Sequence, residues 1–184
     1  TAKENAKYRD STNTETFQAV EPFANSLVLR LKQDLKDGKI IFGGFLTNKQ
    51  QVLNTNYLKS SFVSKANVMG ADFEYALPDP AWVVSGYTAT STLLGTEKIV
   101  SEIQRNSAHY FQRPDDKVAL DTTKTQLDGT SSELSLTKIS GKNIKGSFTY
   151  RKISPGYDIN ELGYIRSANT KPVSYTHLTL PTSS

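Results

Sequence analysis

"NVMGADFEYAL", residues 67–77, has a period of two: Met69, Ala71, Phe73, Tyr75 and Leu77 fall on one side, Gly70, Asp72 and Glu74 on the other. Successive side chains of an extended chain point to opposite faces, so this stretch reads as a strand with one apolar and one wet face. The same period extends outward. Leu27, Leu29 and Leu31 alternate with Val28, Arg30 and Lys32, and the Asp37-Gly38 pair marks a tight hairpin into "KIIFGGFLTN", 39–48. On the other side, "PDP" at 78–80 bends the chain into "AWVVSGYTATST", 81–92. A last pair, "SSELSLTKIS" and "IKGSFTYRKI", is joined by a "GKN" turn at 141–143; Ile144, Gly146, Phe148 and Tyr150 alternate with Lys145, Ser147, Thr149 and Arg151. About six strands are recognisable, and the fold class is all-β and antiparallel.

Composition agrees with strands and narrows the classes. The 184 residues suffice for one domain. Apolar residues make up 36%, mean hydropathy is -0.47, and 9 Tyr and 8 Phe accompany abundant Thr and Ser. The longest apolar run, "IIFGGFL" at 40–46, is far short of the roughly 20 residues of a transmembrane helix. No starting Met and no signal peptide are visible, and the chain reads as an internal piece. The absence of cysteine rules out disulfides and thiolate metal sites but leaves the compartment open. The charge of +4 is spread along the chain rather than gathered in a stripe, which argues against nucleic acid as a partner.

Residues 1–26 are polar and read as loop or the end of a preceding element. Residues 27–171 read as the strand domain. Its connections alternate between tight turns and long polar stretches, 48–61 and 93–130. If the tight turns share one side of the sheet, 93–130 must contain no spanning strand or an even number. One long loop with local structure around "AHYF" is expected there; the alternative is a helix over "TEKIVSEIQRN", 96–106, where Ile99 and Ile103 are four apart.

Two architectures share this alternation. A soluble β-sandwich would turn the apolar face onto a core. A transmembrane barrel would turn it to lipid, with strands of about 9–11 residues, short turns on one side and long loops on the other. The charged residues within the strands, Asp72, Glu74, Lys145 and Arg151, all fall on the polar face, where a watery lumen would receive them. The pattern by itself leaves both open.

"SPGYDINELGYI", 154–165, preceded by "LSLTKISGKNIKGSFTYRK", resembles the C-terminal barrel domain of an uncharacterised family of bacterial outer-membrane proteins. The similarity covers most of 21–168, and its most specific positions are Gly156, Tyr157, Asp158, Asn160, Leu162, Gly163 and Tyr164. The resemblance implies a partial antiparallel β-barrel in the cell outer membrane, with outer-membrane lipid as its partner. In that family the barrel follows a module like the family 9 carbohydrate-binding domains, so a glycan bound or passed by the envelope protein is the further expectation. Some members are labelled hydrolases by association, but no catalytic residue is defined for the barrel. The tail "PVSYTHLTLPTSS", 172–184, resembles a run that recurs at the ends of unrelated proteins from environmental assemblies, translated from sequencing adaptor. On that resemblance the tail is non-native and the family match is expected to stop near Lys171; the alternative, which composition by itself favours, is an ordinary flexible Thr- and Ser-rich C-terminus.

No reaction, cofactor or metal is assigned to the segment. A Ser, His, acid triad needs a base, and only His109 and His177 exist; His109 reads as a loop or strand-end residue. Asp72 and Glu74 lie about 7 Å apart along one strand face, a separation that glycosidases use, but polar-face acids in barrels are ordinarily solvated or paired. Asp115, Asp116, Asp121 and Asp128 lack the spacing of a calcium loop. Gly43 and Gly44 lie in a strand with no following Lys or helix, so they do not cradle phosphate. Asp158, Asn160 and Glu161 read either as a glycan-binding rim or as a turn in which Gly156 and Gly163 take positive φ; turn chemistry favours the second. The alternative to the barrel is a soluble carbohydrate-binding module that uses Tyr110 and Phe111, or the non-catalytic part of a hydrolase.

Overall fold

The computed structural model describes residues 1–9, 11–79, 81–114, 118–140 and 144–179. The 141–143 turn, Pro80, Asp115, Asp116 and the last five residues of the tail lie outside them.

Among the described residues nine strands and two short helices form in the order β1 (Glu4–Arg9), β2 (Glu15–Glu21), β3 (Phe23–Leu35), β4 (Ile40–Val52), α1 (Asn56–Ser61), β5 (Lys65–Ala76), β6 (Trp82–Leu94), α2 (Glu97–Arg105), β7 (Gln126–Lys138), β8 (Ile144–Ile153) and β9 (Val173–Thr179). Strands β3 to β9 make one seven-stranded antiparallel meander in sequence order, and β1 and β2 pair separately. The six strands expected from alternation are β3 to β8. The structure adds three differences. Within residues 1–26, expected as loop or the end of a preceding element, β1 and β2 pair antiparallel and β3 begins. The segment between β6 and β7 contains no strand among its described residues, but it does contain α2. Part of the tail, Val173–Thr179, pairs antiparallel with β8.

Helix α2 forms because Thr96 caps it, its hydroxyl accepting from the Ile99 amide, with Glu97 in the first turn and Arg105 in the last. Ile99, Val100 and Ile103 then pack with Ala66, Leu93 and Leu127 of β5, β6 and β7. Gln104 is buried behind them and holds the following loop by a reciprocal pair: its amide donates to the Asp121 carbonyl and its carbonyl accepts from the Asp121 amide, at 2.8 and 2.9 Å. Neither helix is long and apolar enough to cross a membrane, which says nothing about strands.

Register fixes the two faces. Directly paired residues share a face, so Lys32, Gly43, Asp72, Tyr87, Glu133 and Arg151 form one row across β3 to β8. Ala24, Phe45, Ala66, Val68, Ala89, Ser91, Leu127, Gly129 and Ser131 lie on that same face. Both buried clusters sit there, one under α2 and one under residues 157–168. The opposite face carries Leu35, Ile40, Tyr75, Val84, Leu136, Phe148 and Tyr175 in a single row from β3 to β9. Most of these side chains are exposed.

Candidate functional site

The string at 154–165 is a strap laid across the polar face. Its Ser154 amide still pairs with Thr130 at 2.9 Å, after which Pro155 turns the chain over β7. Gly156 and Gly129 then meet back to back. A Cβ on Gly129 would lie 2.0 Å from the Tyr157 nitrogen, and one on Gly156 would lie 2.2 Å from the Asp128 carbonyl. Only glycine permits that approach at both positions. The expectation of positive φ at Gly156 and Gly163 is corrected: among the described glycines only Gly38, at +84°, has it. Gly156 is required by proximity instead. Asp37, also expected in a tight turn, takes φ 55° beside Lys36 at 56°.

Beyond Tyr157 the strap moves strand by strand. The Asp158 amide donates to Ser91 Oγ on β6 at 2.9 Å. Ile159 and Leu162 border a small gap together with Val68 of β5 and Thr47 of β4. Glu161 accepts from Lys49 Nζ at 2.6 Å and from Gln51 Nε2 at 3.3 Å, both on β4. Asn160 holds the turn, its Oδ1 accepting from the Ile165 amide at 3.0 Å. Tyr157 is buried, and burial followed by the neighbouring Tyr87 pushes its phenol above the ordinary range. Tyr164 and Leu162 are exposed.

The strap is locked by a residue that sequence reasoning did not place there. His109, on the loop after α2, puts Nδ1 2.7 Å from the Pro155 carbonyl and Nε2 2.7 Å from Asp158 Oδ2, with side-chain exposures of 0% and 4% for His109 and Asp158. Both ring nitrogens are engaged by oxygens within hydrogen-bond distance. Burial pushes the Asp158 carboxyl up, but hydrogen bonds from His109 and from the Asn160 backbone and side chain, with the attraction of His109, outweigh it and hold the carboxyl below the usual range. No ring nitrogen is left to act as a base toward Ser91 or any other hydroxyl. The arrangement is a structural clamp. Nothing in the local sequence "SAHYFQR" signals this partnership; only "AHYF" stood out as ordered.

The four charged strand residues lie on the strap's side of the sheet. Asp72 takes a bidentate pair from Arg30, whose guanidinium crosses β4 over Gly43; a Cβ on Gly43 would lie 2.9 Å from Arg30 Nη2. Arg151 pairs with Glu133. Glu74 and Lys145 are exposed, and the structure does not bring Glu74 onto a charged partner among the described residues. Phe111 is buried in the cluster beneath α2, so it is not a surface aromatic for a ligand; Tyr110 is exposed at φ 44°. Among the described residues no group of three or more His, Cys, Asp or Glu could hold a metal ion.

A model of the family described as "Domain of unknown function (DUF5916)" matches residues 1–179. The chain belongs to this family. The DUF5916 match extends past Lys171 and includes β9. No curated protein and no solved structure matches the chain. For DUF5916 the geometry of the strap and its clamp therefore stands on this chain's own residues.

Proposed function

We propose that this DUF5916 domain is wall of an outer-membrane β-barrel, with the strap and its clamp in the lumen and the opposite face against lipid. The observation that carries this is the exposed apolar face. One row runs unbroken from Leu35 to Tyr175 across seven strands, and the next above it contains Phe42, Phe73, Gly86, Leu134, Tyr150 and Val173, with Gln33 its one polar member; below them Trp82, Lys138, Gly146 and His177 form the border on β6 to β9. At about 4.8 Å per strand this face is about 30 Å wide. Leu31 is 66% exposed and Tyr175 69%. Soluble monomers rarely leave so wide a continuous patch uncovered.

The shape of the band supports lipid as its cover. On β3 the apolar residues reach up to Leu27, followed by Asn25. On β8 they stop at Tyr150, followed by Lys152. Tyr150 is in register with Gln33 of β3, six residues from Leu27. Strands tilted by about 40° in a barrel would lower a horizontal boundary by about 1.2 residues per strand, about six over the five steps from β3 to β8. Beyond the edge polar pairs appear: Asn48 donates to Asn67, and Thr92 and Gln126 donate to Asp128 at 2.8 and 2.7 Å, with the exposed pair Phe23 and Val52 at the far ends of β3 and β4. These groups lie at the end of the strands that carries α1 and α2.

The reading includes an envelope glycan as the substance handled, from the resemblance to barrels that follow a carbohydrate-binding-like module. The test is fractionation of the full-length protein. Recovery in the outer-membrane fraction with heat-modifiable gel mobility is expected. A soluble monomer would sink the barrel.

A further inference from the structure

A cleft of about 440 Å³ opens between β6 to β8 and the limb of the chain that returns after the strap, lined by Tyr87, Arg151, Tyr157, Tyr164 and Arg166 among others. Its volume lies in the range of small-molecule sites, about 300–1,000 Å³. The Tyr87 hydroxyl lies 3.0 Å from Ser131 Oγ. Arg151 donates Nε to one oxygen of Glu133, with Nη2 in ion-pair contact with that same oxygen, and Nη1 has no hydrogen bond among the described residues. Arg166 is exposed and makes no ion pair among them. The acids of the strap are occupied elsewhere, Asp158 with His109 and Glu161 with Lys49. Two guanidiniums set against the single carboxylate of Glu133 leave one uncompensated positive charge. Tyr164, two residues from Arg166 and 78% exposed, presents an open aromatic face.

An open phenol ring packs on the C–H face of a pyranose, and a guanidinium fork matches a carboxylate or phosphate. We infer that this cleft binds a sugar ring bearing one anionic group, with Arg166 and Arg151 holding the anion and Tyr164 stacking on the ring. The inference sharpens the glycan part of the proposed function and takes its lumenal location from it.

The test is calorimetric titration of the full-length protein, in detergent if it partitions to the membrane. The probes are a glucuronate oligosaccharide, a hexose phosphate and a neutral oligosaccharide of the same length. The charged sugars are expected to bind at least about tenfold more tightly than the neutral one, and their order tells carboxylate from phosphate. Arg166→Gln is expected to weaken the charged probes about tenfold or more, the scale of a hydrogen bond to an ionised group, while leaving the neutral probe unchanged. Tyr164→Ala is expected to weaken all three. Both side chains are exposed, so an unchanged melting transition verifies the fold of each variant. Equal binding of charged and neutral sugars, no binding of any probe, or an Arg166→Gln variant that binds as the parent does would overturn the inference. A protein that is soluble yet binds the charged sugars through Arg166 would overturn the barrel and leave the cleft standing.

Discussion

His109 and Asp158, 49 residues apart in sequence, meet with Nε2 2.7 Å from Oδ2 in the interior of the domain. This contact joins the loop after α2 to the strap over β4 to β7, two segments that share no strand.

Breaking a buried pair from one side strands the other partner. His109→Ala is expected to destabilise the domain by about 3–5 kcal/mol, and Asp158→Ala similarly. The double variant should cost less than the sum of the two, because it leaves neither partner alone. Denaturant midpoints of the four proteins measure the coupling; strictly additive losses would mean that the contact does not bind the segments together.

The clamp is acid-sensitive. The Asp158 carboxyl titrates lower in the folded chain than in the unfolded one, where Asp stands near about 3.9. Its contribution is therefore fully present above about pH 4, and is lost as pH falls through that value and on through the lower folded one. Protease cutting within 154–168 should rise over this window in the parent. In Asp158→Asn the acid-dependent rise should be absent.

Gly129→Ala and Gly156→Ala each set a methyl group against backbone at 2.0–2.2 Å, where no side chain can move aside. Each is expected to release the strap or cost several kcal/mol. Gly163→Ala meets its nearest atom at 3.2 Å and should be much milder. Thermal melts of the three variants provide the ranking, and an inverted order would refute the back-to-back contact.

Phe73 and Glu74 are neighbours on opposite faces of β5. If Phe73 meets lipid, Phe73→Lys places a charge in hydrocarbon at a cost of about 2–4 kcal/mol near the midplane, whereas Glu74→Lys remains in water. Folding titrations in lipid vesicles should separate the two variants by that amount. Equal losses would argue that both faces see the same medium.

The sheet was legible because period two survives wherever one face is apolar, as in Met69 to Tyr75 and Ile144 to Tyr150. The elements missed had weak patterns. In β1 and β2 the apolar side holds only two residues each, Ala6 with Tyr8 and Phe17 with Ala19, and in α2 a three-residue stripe of Ile99, Val100 and Ile103 is too short to outweigh the surrounding polarity. Within the site, the distinctiveness of 154–165 was legible and its geometry was not. Gly156 looked like a residue needed for its own dihedral angle, but the need arises from Gly129, 27 positions earlier. His109 looked solitary for the same reason. Close approach between distant segments leaves no local periodicity to read.

The Gly129–Gly156 contact also bears on how the sheet assembles. A one-residue slip of β7 against β6 would replace Gly129 with Asp128 or Thr130 under the strap and would turn its side chains to the wrong side. Tyr157 could not then settle, Asp158 would miss Ser91, and His109 would find no partner. Docking of the strap thus acts as a gauge of correct strand pairing: a mispaired β6–β7 ladder stays unlatched, and so remains open to unfolding and another attempt.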